Sequence, residues 1–229
     1  MFEQLIQREK SILETLQIFL NKKLNFIVVG GYAVSAFKHR FSVDADIVIS
    51  SEDLPKFETI LKENNFKKTI SKKLQNIYSS RFIRYEKKNK FKIAIDLLID
   101  ALASRQTNAS WSFDLLNKNS IKKKIIGSEK EITVKIPVKE LLMAFKIHSG
   151  RLTDFRDIVA LAKEYNINTL KKFLIIGNKN IIKKNLLKLL SLINKKEFID
   201  SFKGVFIEKK YDIDEKEIKK LKNLIKYLN

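Results

Sequence analysis

The chain has 229 residues, 45% of them hydrophobic, enough for one large domain or two small ones with a substantial core. It has no cysteine and only two histidines, His39 and His148, which excludes disulfides, thiolate zinc sites, cysteine nucleophiles and histidine-rich metal centres. The net charge of +20, from 46 basic and 26 acidic residues, suits a polyanionic partner such as RNA or DNA, although the abundance of Lys, Ile and Asn is also what an AT-rich genome produces.

Charged residues interrupt the apolar start of the chain (Glu3, Arg8, Glu9, Lys10), unlike a signal peptide. No uncharged apolar run reaches the roughly 18 residues a membrane span needs, so the chain reads as cytoplasmic, with no membrane partner. Residues 2–20 repeat apolar positions at helical spacing (Leu5, Ile12, Leu16, Phe19) and predict an amphipathic helix. Residues 26–29 predict a buried strand that ends in a turn at Gly30-Gly31, followed by a short helix over 32–39. Residues 43–49 alternate and are rich in β-branched side chains, as in a second strand. A helix is expected over 54–65, with Ser51 as a candidate cap and Pro55 early in it. Further strands are expected at 66–70, 79–86 and 91–99, a turn or helix at 111–116, and paired strands at 120–126 and 131–136 around Gly127-Ser128.

Past Pro137 the character changes. Two helical segments, 138–150 and 153–166, flank Ser149-Gly150-Arg151, with Thr153 as a candidate cap. From about residue 167 onward Leu, Ile and Lys recur at helical spacing. Strands followed by helices predict an α+β fold: a mixed sheet flanked by helices over 1–137 and a helical C-terminal region over 138–229.

The candidate chemistry starts from Asp44 and Asp46. On a strand, residues i and i+2 project from one face, so the two carboxylates stand together and repel. Their neighbours Val43, Ile47, Val48 and Ile49 imply a buried strand, where an uncompensated pair is costly. A divalent metal, or arginine and lysine partners, must offset that cost. Asp96, set in the apolar run IAIDLLI, repeats the pattern, with Asp100 as its competitor. Three carboxylates converging from neighbouring strands would suit Mg²⁺ or Mn²⁺ and the oxygens of a triphosphate. Gly30 and Gly31, after a strand, let backbone approach a ligand closely, and Ser35 is near enough in sequence to add a hydroxyl. Each feature also has a plain reading: a simple turn, a salt-bridged strand edge, an aspartate paired with lysine. For His148 the expected role is a cation at a helix C-terminus, and Trp111 and most phenylalanines are expected in the core.

The stretch VVGGYAVSAFKHRFSVDADIVI resembles the signature of the DNA polymerase beta-like nucleotidyltransferase superfamily: a strand, Gly-Gly, a short helix, Asp-x-Asp on the next strand and a third acid later. Arg40-x-Ser42-x-Asp44 is similar to the lead-in of many members, whereas Phe37-Lys38-His39 departs from the pattern after the glycine helix. The segment KIHSGRLTDFRDIVAL resembles that of AbiEii-like nucleotidyltransferases, a group that includes toxins of toxin–antitoxin systems. The resemblance covers roughly residues 24–162. It implies a catalytic nucleotidyltransferase domain over 1–137, with Asp44, Asp46 and Asp96 as catalytic metal ligands. Gly30, Gly31, Ser35, Lys146 and Asp157 would bind nucleotide, Lys146 by neutralising the triphosphate. It further implies transfer of NMP from NTP to a hydroxyl of RNA or tRNA, protein or a small molecule, and a possible cognate antitoxin. The alternative from a different class is a non-catalytic nucleic-acid-binding protein that keeps the fold.

Overall fold

The computed structural model describes residues 2–73, 81–88, 91–202, 205–206 and 213–228. The chain divides into two compact units, Met1–Leu102 with Trp111–Pro137, and Ala103–Ser110 with Val138–Asn229.

In the first unit, helix α1 (Phe2–Asn21) buries Ile12, Leu16 and Phe19 of the stripe its spacing predicts, with Leu13 beside them, and leaves Leu5 half-buried. Strand β1 (Ile27–Val29) leads directly into helix α2 (Gly30–Ser35), and β2 (Asp44–Ile49) returns antiparallel to β1. Helix α3 (Leu54–Glu63) follows, with Pro55 in its first turn. Ser51 does not cap it. Its amide instead donates to Asp100 Oδ1 at 2.7 Å, and Asp53 occupies the cap position without a side-chain bond. Rings from three segments meet edge-on beneath the sheet: Phe19 lies 4.9 Å from Phe57 and 5.8 Å from Phe26, centroid to centroid.

Strands β3 (Lys67–Lys73), β4 (Arg81–Lys88) and β5 (Lys92–Ile99) complete a five-stranded sheet in the order β1-β2-β5-β4-β3. Residues 79 and 80 of the strand predicted at 79–86 lie outside the described residues. The sheet is mixed: β2 and β5 run parallel and the other pairs antiparallel. A parallel pair needs a long connection, here made through α3, β3 and β4, and that crossover brings two distant segments side by side.

Strands β6 (Ala101–Ser104) and β7 (Ala109–Ser112) form a small two-stranded ladder that periodicity did not predict; its segments ALAS and ASWS carry no β-branched residue. Helix α4 (Phe113–Lys118) is capped by the Ser112 hydroxyl, which accepts from Leu115 N. Strands β8 (Ser120–Ile126) and β9 (Glu131–Pro137) pair antiparallel, and buried Glu9 of α1 accepts the Ser128 amide in their turn at 2.7 Å.

At the centre of the second unit is α5 (Lys139–Ser149), buried without interruption from Leu141 to His148. Helices α6 (Leu152–Leu161), α7 (Ile167–Leu174) and α8 (Lys179–Leu192) pack on it, followed by α9 (Lys196–Asp200), α10 (Glu215–Lys220) and α11 (Lys222–Ile225). Gly150 ends α5 at φ +60, and a Cβ there would lie within about 2.5 Å of the Asn185 side chain, whose Nδ2 donates to the Ile147 carbonyl. Thr153 is not a cap; Arg151 holds that position. Among the described residues no helix is long and apolar enough to cross a membrane.

Candidate active site

The parallel register of β2 and β5 sets Asp46 directly beside Asp96, and the antiparallel register of β5 and β4 sets Asp96 beside Arg84. Asp44, two residues before Asp46, projects from the same face. The three predicted carboxylates therefore share one face of the sheet. Asp96 is buried and Asp44 and Asp46 are half-buried. Asp100, the competitor of Asp96, lies one residue beyond β5. It sits at φ +64 and spends its carboxylate on the Ser51 amide.

Arg84 is the residue that sequence reasoning missed. Its Nε donates to Asp96 Oδ1 at 2.7 Å and its Nη2 to Asp96 Oδ2 at 2.6 Å, while the same Nη2 reaches Asp44 Oδ2 at 2.9 Å. Hydrogen bonding to Asp96 and the charges around it hold the guanidinium above its ordinary pKa against a desolvation cost. Burial pushes the Asp96 carboxyl up, and Arg84 pulls it partly back. One guanidinium shared by two carboxylates leaves that pair under-neutralised. The requirement of an arginine or a cation beside Asp44 was visible in the sequence. Which arginine serves was not, because that depends on strand register.

Gly30 closes the site from the β1–α2 corner. It adopts φ +64, and a Cβ there would lie 2.1 Å from Asp46 Oδ2, so the missing side chain is the space the Asp46 carboxylate fills. A Cβ on Gly31 would lie 2.5 Å from Ser42 Oγ, so the second glycine lets the loop before β2 fold back over the turn. Ser35 is buried at the far end of the six-residue α2, and its hydroxyl accepts from the Arg40 amide at 3.4 Å.

Among the described residues, no group of three or more His, Cys, Asp or Glu side chains is arranged to hold a metal ion as it stands. The donor chemistry nevertheless fits a hard divalent cation: three carboxylates share a face, Asp46 occupies the Gly30 recess, and Asp44 and Asp96 are joined by a cation already.

Lys146 and Asp157 belong to the second unit and are paired with each other. The buried Lys146 ammonium lies 2.7 Å from Asp157 Oδ2 and 3.0 Å from Asp154 Oδ1, and both aspartates are buried. Burial alone would raise the Asp154 carboxyl, but Lys146 and then Arg151 hold it below its usual value. Arg151, anchored on Asp154 at 2.6 Å, is the cation of this cluster that faces solvent. His148 is not a charged helix-terminal residue. It is fully buried with Nδ1 2.6 Å from Thr107 Oγ1, and burial pushes its pKa down to about 4 against a backbone hydrogen bond at Leu174.

The mixed sheet with its flanking helices and helical C-terminal region is the α+β arrangement expected from the sequence. No protein-family model and no curated protein matches the chain by sequence. Among solved structures, the antibiotic-resistance factor ANT(2'')-Ia superposes with a TM-score of 0.50 at 11% identity, covering 76% of this chain and 91% of that one. The lincomycin-bound lincosamide antibiotic adenylyltransferase LnuA aligns with a TM-score of 0.47 at 20% identity (68% of this chain, 96% of that one). An antigenic nucleotidyltransferase-like protein from Paracoccidioides brasiliensis aligns at 0.49 and 14% identity (85% and 90%). At 11% identity the likeness to ANT(2'')-Ia is one of fold.

Proposed function

We propose that the protein is a metal-dependent nucleotidyltransferase that moves an NMP from an NTP to an acceptor hydroxyl and releases pyrophosphate. The observation that carries this reading is the row Asp46–Asp96–Arg84 across three strands, with Asp44 on the same face and the bare Gly30 corner beside it. Asp44, Asp46 and Asp96 are the residues that would hold Mg²⁺ or Mn²⁺. Such an ion, when bound, supplies electrophilic stabilisation of the phosphate oxygens and of the departing pyrophosphate.

The remaining work falls to the chain. Gly30 makes room for the Asp46 carboxylate and Gly31 for the Ser42 side chain at the corner beside the proposed triphosphate site, and the Ser35 hydroxyl accepts the Arg40 amide behind it. The acceptor oxygen attacks the α-phosphorus as the bond to the β-phosphate oxygen breaks, and Asp96 takes the acceptor proton. Lys146 and Asp157 enter as the fixed base on which Asp154 holds Arg151, so that the exposed guanidinium, rather than the buried ammonium, is the cation offered to solvent. The charge of +20 favours RNA or tRNA as acceptor over a protein hydroxyl or a small molecule. A toxin role of the AbiEii type, with a cognate antitoxin, is the biological setting we infer from the resemblance of residues 24–162.

The test is to incubate the protein with Mg²⁺, each α-³²P-labelled NTP, and total cellular RNA and protein. Label should appear in one acceptor class with one preferred NTP and vanish in Asp44→Ala/Asp46→Ala. Label that persists in the double variant would place the chemistry elsewhere. Salt-sensitive RNA binding with no transfer by the wild type would favour a non-catalytic binding protein.

A further inference from the structure

Arg84 grips its two carboxylates unequally. Asp96 receives two hydrogen bonds, at 2.7 and 2.6 Å, and Asp44 one, at 2.9 Å. The Asp96 grip is set by backbone register, since the two residues are direct partners across β4 and β5. Asp44 lies one strand further away, on β2, and its side chain is 27% exposed against 3% for Asp96. The Asp44 end of the bridge is therefore the weaker and more exposed end.

We propose that Arg84 is a positioning residue that occupies the place of a cation between Asp96 and Asp44 and makes metal binding depend on nucleotide; this rests on the reading of the carboxylates as metal ligands. A divalent ion at Asp44 meets the guanidinium charge at close range, and the two cations compete for one oxygen pair. A nucleoside triphosphate removes the conflict, because its phosphate oxygens accept a guanidinium readily. Arg84 then releases Asp44 to the metal and keeps Asp96 in register. In the absence of nucleotide the latch stays shut, and the carboxylates are spared the mutual repulsion that would otherwise loosen β2 against β5.

The test reads Mn²⁺ binding directly, by calorimetry or by loss of the free-ion paramagnetic resonance signal, with and without a non-hydrolysable NTP analogue. Wild type should bind Mn²⁺ weakly alone and much more tightly with the analogue. Arg84→Gln should bind Mn²⁺ about tenfold or more tightly than wild type without nucleotide, the scale of removing one adjacent charge. Its dependence on the analogue should shrink accordingly. Arg84→Gln leaves buried Asp96 without its partner, so Arg84→Lys is measured in parallel. It keeps the charge but not the fork that spans both carboxylates, and should move in the same direction by less. Nucleotide-free Mn²⁺ affinity at or below wild type in whichever of the two variants folds would overturn the latch. A merely structural Arg84 gives that result. Mn²⁺ binding in the presence of the analogue that Asp44→Asn fails to weaken would instead overturn the carboxylate site itself, and the latch with it.

Discussion

At the residue scale the site is defined by what each position excludes. Gly30 is needed twice over, for its φ of +64 and for the space that Asp46 Oδ2 fills 2.1 Å from the Cβ it lacks. Gly30→Ala should therefore lower stability by about 2 kcal/mol, combining a left-handed backbone cost with overpacking. Because the displaced atom is an Asp46 oxygen, it should also lower nucleotide transfer more than a stability loss of that size explains. Thermal melts and initial rates at a temperature where both proteins are folded check the two parts separately. Lys146 offers the complementary case. Its ammonium is flanked by two buried carboxylates, so Lys146→Met should cost about 3–5 kcal/mol in urea unfolding, the usual result of stranding buried charge. Adding Asp157→Asn should recover part of that loss. A cost under about 1 kcal/mol would mean a lysine free to serve substrate instead.

At the scale of elements, the strands and helices that carry the candidate site follow from short-range patterns. The β-branched alternation at 43–49, the apolar run at 91–99 and the glycine pair are local signals, and they correspond to β2, β5 and the β1–α2 corner. What they omit is pairing. No local pattern says that β2 lies against β5 rather than β1 alone, or that β4 delivers Arg84 opposite Asp96, because those are long-range registers. The β6–β7 ladder escaped for the opposite reason, having only four residues per strand and no β-branched signal. The same limit applies to His148. Its place at a helix end suggested a charged residue, but the hairpin tip closes over it through Thr107 and Ser104, and burial keeps it neutral. A folded-state pKa of about 4, below the ordinary value of 6.5, means that the unfolded chain takes up the proton first. The neutral imidazole's contribution is complete above about pH 6.5 and is lost as pH falls toward 4, an effect on the order of 3 kcal/mol. His148→Gln should flatten the stability profile in that window, as read from melting temperatures at matched pH. Equal slopes in the two proteins would mean that the imidazole is not the sensor.

At the scale of the whole molecule, the charge of +20 separates the acceptor classes. A nucleic-acid acceptor must shed condensed counterions when lysines replace them, and its apparent affinity then falls steeply with salt, by about 0.7 log units per neutralised phosphate per tenfold change in salt for a single strand. A neutral small-molecule acceptor has no such atmosphere to lose. If RNA is the acceptor, raising NaCl from about 50 to about 200 mM should raise its KM severalfold or more and leave kcat nearly unchanged, because the proposed chemistry lies in the carboxylate row rather than on the lysine surface. The Asp44→Ala/Asp46→Ala protein should bind the same RNA with the same salt slope, since neither aspartate contributes to the basic surface. Titrating transfer and filter binding across that range settles both points together. A salt-independent KM would remove RNA as acceptor whatever the net charge. A binding slope that changes in the double variant would show that the acceptor rests on the carboxylate face itself, so that recognition and the proposed chemistry share one surface.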